Sequence, residues 1–256
     1  MVPLVLFLTS CHQEENNKSI LKDTKVEQRT EDCIDENDEL EFCLGAQFQP
    51  KTIVLNNVPG YPSSCTFKVK YEYKWCEVGT GQFAEIQVLL KNIDILEIDC
   101  AEYDQDVDDL YNNPCSSCPT IEDYIFGLEE KIQRLIEEDV FNFLQTSYNL
   151  NCNSSTSWTP VTIKFSQYSC HTYCFQVLLK TRSGGYWWKP RRIACDNFVC
   201  CIVETFMCFD PGYNKTISNV VKTKQGGPEP VQCVIPTSTY SYCNYYTSNC
   251  IDACEN

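Results

Sequence analysis

A chain of 256 residues, 43% hydrophobic, is long enough for one large domain or two small ones and too apolar for wholesale disorder. The net charge of −15 is concentrated in two stretches without a base, seven acids in residues 31–41 and eight in residues 94–109, which leaves the remainder neutral. Acidic patches without a broad basic field exclude a nucleic-acid partner, because phosphate neutralisation supplies most non-specific affinity for nucleic acid.

Nineteen cysteines dominate the composition, while two His and two Met leave little for a metalloenzyme. Such cysteine usage points to an oxidising compartment and a disulfide framework. The count is odd, and Cys11 stands apart from the rest. Residues 1–9, MVPLVLFLT, form an apolar run too short to span a bilayer and read as the hydrophobic part of an export signal. The LTSC that closes this run resembles the bacterial lipobox, and the HQEE after Cys11 resembles the acidic export signal of Bacteroidota surface lipoproteins. The resemblance covers the first fifteen residues or so. It implies cleavage before Cys11, lipidation of Cys11, a membrane contact through that anchor, and a place on the outer face of the outer membrane; plain secretion is the alternative. Removing Cys11 from the count leaves eighteen, an even number for disulfides.

In chain order, residues 1–10 are then a lipoprotein signal peptide and 11–32 a polar, aperiodic tether. Residues 33–118 form an N-terminal β-rich region. Its clearest strand is CTFKVKYEYKWC, residues 65–76. There Phe67, Val69, Tyr71, Tyr73 and Trp75 alternate with polar residues, so one face is buried and the other solvated. FAEIQVLL, residues 83–90, is the expected partner across VGTG. DQDVDD, residues 104–109, starts like a calcium loop. It departs from that pattern with Asp109 in place of Gly and Cys115 in place of Glu, and it reads as a solvated acidic loop, with a looser calcium site as the alternative.

Residues 119–150 hold a long helix. Thr120 and Asp123 resemble a capping box, and Ile121, Ile125, Leu128, Ile132, Leu135, Ile136, Val140, Phe143 and Leu144 recur at helical spacing to about residue 147. Residues 151–256 read as a Cys-rich β-meander. Pro190 places its strand at an edge, and the last four cysteines staple the turn-rich end. QVLLK occurs at Gln87 and again at Gln176, which suggests duplicated β units. The fold class expected is α+β: disulfide-stapled antiparallel β units with one long amphipathic helix, at about 120–147, between them.

Four constellations bear on chemistry. Cys115 and Cys118 form a CxxC ahead of the helix, as in thiol–disulfide oxidoreductases, but the nearby acids oppose a thiolate. CHTYC, residues 170–174, offers zinc donors or, in an oxidised chain, two disulfide cysteines flanking a surface His171. Cys200 and Cys201 are strand neighbours facing opposite ways and should take different partners. GGYWWKPRR sets Tyr186, Trp187 and Trp188 beside Lys189, Arg191 and Arg192, and with YSYCNYY forms the best candidate ligand-binding surface. One Trp there is expected in the core; the other either stacks a sugar ring or an anionic glycan beside the cations or is covered by the C-terminal loop.

No catalytic residue, metal or cofactor is assigned. The expected function is a surface-exposed, lipid-anchored, disulfide-rich ectodomain with a binding, adhesion or envelope-structural role, its partner a surface glycan or protein. The alternatives are a glycan-binding module using the Trp187/Trp188 hairpin and a CxxC oxidoreductase. The disulfide cysteines expected, with pairing open, are Cys33, Cys43, Cys65, Cys76, Cys100, Cys115, Cys118, Cys152, Cys170, Cys174, Cys195, Cys200, Cys201, Cys208, Cys233, Cys243, Cys250 and Cys254.

Overall fold

The computed structural model describes residues 45–79, 85–115, 117–152, 160–181, 184–195, 199–225, 233 and 241–255. Strands take up half of this length. The strands are β1 (Gln49–Leu55), β2 (Thr66–Val78), β3 (Glu85–Asp99), β4 (Val161–Tyr168), β5 (Cys170–Leu179), β6 (Tyr186–Ala194), β7 (Cys200–Asp210), β8 (Lys215–Gln225), β9 (Tyr245–Tyr246) and β10 (Ile251–Asp252). Two helices, α1 (Ala101–Asn112) and α2 (Ile121–Gln145), lie between β3 and β4.

Six strands form one sheet in the order β1-β2-β3-β4-β7-β8, and β10-β5-β6 form a second, with β9 also paired to β5. The α+β expectation is therefore corrected. Among the described residues the structure is mostly β, 50% strand and 21% helical. Its large sheet is mixed, because β3 runs parallel to β4 while the other neighbours are antiparallel. A parallel pair needs a crossover connection, and both helices belong to that crossover. The expected meander also fails. Between β4 and β5 stands only Ser169, yet the two strands belong to different sheets. Ser169 is held from several sides. Its N–H donates to Val199 O (2.7 Å), its hydroxyl to Asp252 Oδ1 (2.7 Å), and its carbonyl accepts from Ala253 N–H (2.7 Å).

Helix α2 crosses the large sheet from one edge to the other. Before its midpoint Glu130 pairs with Lys222 of β8 (2.8 Å). One turn on, Arg134 donates to Thr205 of β7 (2.7 Å). Further along, Asp139 accepts from Tyr71 of β2 (2.5 Å) and Lys51 of β1 (2.6 Å). The helix begins where Thr120 accepts the Asp123 N–H (3.1 Å), which satisfies one of the orphan donors of its first turn. Ile125, Leu128, Ile132, Ile136, Val140 and Leu144 of its apolar stripe are buried, joined by Phe126 and Phe141; Phe143 is 45% exposed, its ring edge against Tyr73. The side chain of Glu137 is buried too. It is neutralised by Arg134 (2.7 Å) and bonded by Gln133 (2.8 Å), as a buried carboxylate must be to avoid an uncompensated charge.

The two QVLLK copies occupy unlike settings. Val88 and Leu90 of the first are buried in β3, whereas Leu179 in the second is 65% exposed on β5. They are not equivalent halves of a repeat.

All sixteen described cysteines are disulfide-bonded. The pairs are Cys65–Cys100, Cys115–Cys118, Cys152–Cys208, Cys170–Cys233, Cys174–Cys243, Cys195–Cys250 and Cys201–Cys254, and Cys76 and Cys200 are bonded as well. Adjacent Cys200 and Cys201 therefore do not pair with each other. The last four cysteines each reach back to β5, the end of β6, or β7, which ties Cys233 and residues 241–255 to both sheets. Buried Glu122 of α2 adds a polar tie there, accepting the N–H groups of Ser248 (3.1 Å) and Asn249 (2.9 Å).

Candidate functional site

Strand alternation sorts the candidate residues of β6 onto two sides. Trp187 is 1% exposed and belongs to the core, so it is unavailable as a ligand platform. Lys189 is also buried, paired with Asp94 of β3 (2.8 Å), and Arg191 lies 3.9 Å from the same carboxylate. On the other side stand Trp188 and Arg192, both half-buried, while Tyr186 at the strand's start is 66% exposed. Among the described residues β6 pairs with β5 alone, so Pro190 sits on an edge strand.

Trp188 has three aromatic neighbours. Its ring centroid lies 4.7 Å from Tyr245 of β9, 6.0 Å from Tyr111 of α1 and 6.1 Å from Phe175 of β5. Tyr111 and Tyr245 meet edge-on at 5.0 Å, closing a triangle of rings over buried Phe175. Such offset and edge-on pairs contribute about 0.5–1.5 kcal/mol each beyond their buried area.

Hydrogen bonds and a disulfide hold two corners of the triangle, Trp188 and Tyr245. Tyr103 donates its hydroxyl to Trp188 O (2.7 Å). Asn244 N–H donates to Phe175 O (2.8 Å), its side-chain oxygen accepts Val177 N–H (2.9 Å), and the Cys174–Cys243 disulfide anchors the same segment. Tyr245 and its neighbour Tyr246 remain partly open to solvent, each 36% exposed. The YSYCNYY segment signalled Tyr245. Nothing in the sequence around Tyr111 did, because its helix reads there only as an acidic run.

That acidic run is helix α1, not a loop, which removes the calcium-loop likeness of residues 104–109. Several acids of residues 94–109 are engaged with neighbours. Asp104 lies 2.6 Å from Lys180 and Asp99 3.6 Å from the same ammonium. Burial nevertheless raises the Asp104 pKa, with Lys180 opposing. Glu97 accepts from both the N–H and the hydroxyl of Thr181 (2.7 Å each), and these bonds lower its pKa. Asp106 accepts from Tyr124 (2.9 Å). The cluster Cys65, Cys100 and Glu102 has donor atoms close together, but the two sulfurs are bonded to each other and a metal needs thiolates.

His171 is 1% exposed rather than on the surface, and the flanking Cys170 and Cys174 are spent in disulfides with Cys233 and Cys243. The zinc reading of CHTYC falls with them. The imidazole sits in a polar network at the junction of α2 and the second sheet. Glu129 Oε2 accepts from both Tyr173 Oη and Arg192 Nε (2.6 Å each), Arg192 also bonds Gln167, and His171 Nε2 lies 3.1 Å from Tyr173 Oη. The third cation of GGYWWKPRR is thus committed to a carboxylate as well. Burial first, then the Arg192 charge, push the His171 pKa well below its usual range, against the opposing pull of a hydrogen bond to the Tyr168 backbone. Burial and the Glu129 carboxylate push the Tyr173 phenol well up. A neutral imidazole and a protonated phenol around one ion pair make a connector between layers, with no nucleophile in the group.

The Cys115–Cys118 pair bridges itself, beside the α2 start, with both residues exposed. Cys11, Cys33 and Cys43 lie outside the described residues. No family model matches this chain, and no curated protein and no solved structure does either.

Proposed function

We propose that the chain is an exported ectodomain, lipid-anchored through Cys11 at the cell surface, that works by binding, and that its ligand contact is the Trp188–Tyr245–Tyr111 surface. The observation that carries this reading is the aromatic triangle itself: rings from three separate segments meet at a partly exposed place that a disulfide holds in position. Sixteen described cysteines, all in disulfides, support the oxidising compartment.

The ligand class that suits such a surface is a glycan, whose C–H face packs on aromatic rings while tyrosine hydroxyls bond its hydroxyl groups. Lys189, Arg191 and Arg192 are engaged with Asp94 and Glu129, so a neutral sugar is favoured over an anionic one. The experiment is a glycan array with the parent and a Tyr245→Ala variant. Binding that survives salt and is lost in Tyr245→Ala supports the reading. Equal binding by both, or none by the parent, removes the glycan assignment.

A further inference from the structure

Of the seven bridges whose two cysteines are both named above, six join residues 35 to 69 positions apart, and five of those six have at least one buried cysteine. Cys115–Cys118 differs in both respects. Its partners are three positions apart, and among the sixteen described cysteines they alone are exposed. A disulfide stabilises by restricting the unfolded chain, and the restriction shrinks with the loop it closes. A bridge across two residues therefore adds little to the framework. Cleaving it frees no element, because Thr120 caps α2 independently and the Cys118 N–H already turns back to Cys115 O (3.3 Å). Ser117 Oγ lies 3.7 Å from Cys115 Sγ, where its O–H can donate to a thiolate on that sulfur.

We propose that Cys115–Cys118 is an exchangeable disulfide that takes two electrons from a dithiol, namely a reduced cysteine pair in an exported polypeptide. One thiolate of that pair attacks Cys118 Sγ. The S–S bond breaks, Cys115 leaves as a thiolate beside Ser117, and a mixed disulfide links the partner to Cys118. The partner's second thiolate then attacks its own bridged sulfur and expels the Cys118 thiolate. The partner ends as a disulfide. Cys115 and Cys118 end as thiols, having received through water the two protons that the partner's thiols gave up. Helix α2 gives these sulfurs little help, because Glu122 and Asp123 occupy its first turn; exposure and the short loop govern the reactivity. The site is independent of the aromatic surface and of any ligand bound there.

The test is limiting dithiothreitol on the native, full-length protein, followed by alkylation and peptide mapping. Two alkylated cysteines per chain, Cys115 and Cys118, with an unmoved thermal midpoint, are the expected result. Labelling that starts at any other cysteine, or that appears only with global unfolding, overturns the proposal. A Cys115→Ser/Cys118→Ser variant should keep the parent's midpoint and glycan-array profile while losing the stoichiometric oxidation of a reduced two-cysteine peptide. Peptide oxidation at the parent's rate by that variant also overturns it.

Discussion

Cys243 is bonded to Cys174 two residues before Tyr245, whose ring lies 4.7 Å from Trp188. The bridge closes a loop of 69 residues and fixes one corner of the aromatic triangle at the same time. Replacing both cysteines by Ser is expected to cost about 2–5 kcal/mol, the usual range for a native bridge in an extracellular domain. The loss should be accompanied by a change in Trp fluorescence, because the Tyr245 ring loses its tether. Denaturant unfolding followed by fluorescence measures both. A stability loss with an unchanged Trp signal would separate the bridge from the triangle.

The two tryptophans should answer truncation differently. Trp187→Ala opens a cavity at a fully buried site and is expected to cost ~3–5 kcal/mol. Trp188 is half-buried against Tyr245 and Tyr111, so Trp188→Ala should cost about half of that or less. Chemical denaturation of the two variants gives the comparison, and equal losses would contradict the placement of the side chains on β6.

His171 makes stability pH-dependent. Its folded pKa is depressed below 6.5, so the unfolded chain takes up a proton that the folded one refuses. Stability is therefore full above about pH 6.5 and declines as pH falls below it, by at most about 1.4 kcal/mol per pH unit. The groups facing the imidazole are Tyr173, Phe126 and, through Tyr173, the Glu129–Arg192 pair. Asp252, whose pKa is lowered despite partial burial by bonds from Lys224 and Ser169, contributes its own loss only in the range below ordinary carboxylate values. A His171→Gln variant should flatten the curve between about pH 7 and pH 5. An identical slope in variant and parent would assign the dependence elsewhere.

Cys11→Ala is expected to move the protein from the membrane to the soluble fraction and to abolish labelling by fatty acid. Unchanged membrane fractionation would remove the anchor. The mature parent should contain nine disulfides and no free thiol, which alkylation without reduction followed by mass measurement reads directly.

Local signals in the sequence were legible where one interaction decides the outcome. The alternation of Phe67, Val69, Tyr71 and Tyr73 gives β2 its buried face, and Thr120 marks the start of α2. Lys74 departs from the alternation, buried with its ammonium 5.0 Å from the Phe48 ring. The topology was not legible. A single serine between β4 and β5 gives no hint that the chain changes sheets, and a hydrophobic strand reads alike whether its neighbour is parallel or antiparallel. The acidic residues 104–109 read as loop because helix propensity is weak there, and ion pairs such as Asp104–Lys180 only appear in three dimensions. For the site, Trp188 and Tyr245 were found by their aromatic clusters. The partition of the cations was missed, because Asp94 and Glu129 lie far from them in sequence.

Four bridges run backward along the chain, from Cys233, Cys243, Cys250 and Cys254 to Cys170, Cys174, Cys195 and Cys201. A polypeptide exported amino end first delivers the four acceptors well before their mates. During that interval these thiols are exposed to oxidant without native partners, and Cys170 and Cys174 stand close enough in sequence to bond each other by mistake. Maturation must wait for the final stretch or repair early errors by thiol exchange. Production in a host with a disulfide isomerase should accordingly raise the yield of homogeneous protein, and a ribosome-stalled chain ending before Cys233 should carry at least four thiols that find no native mate.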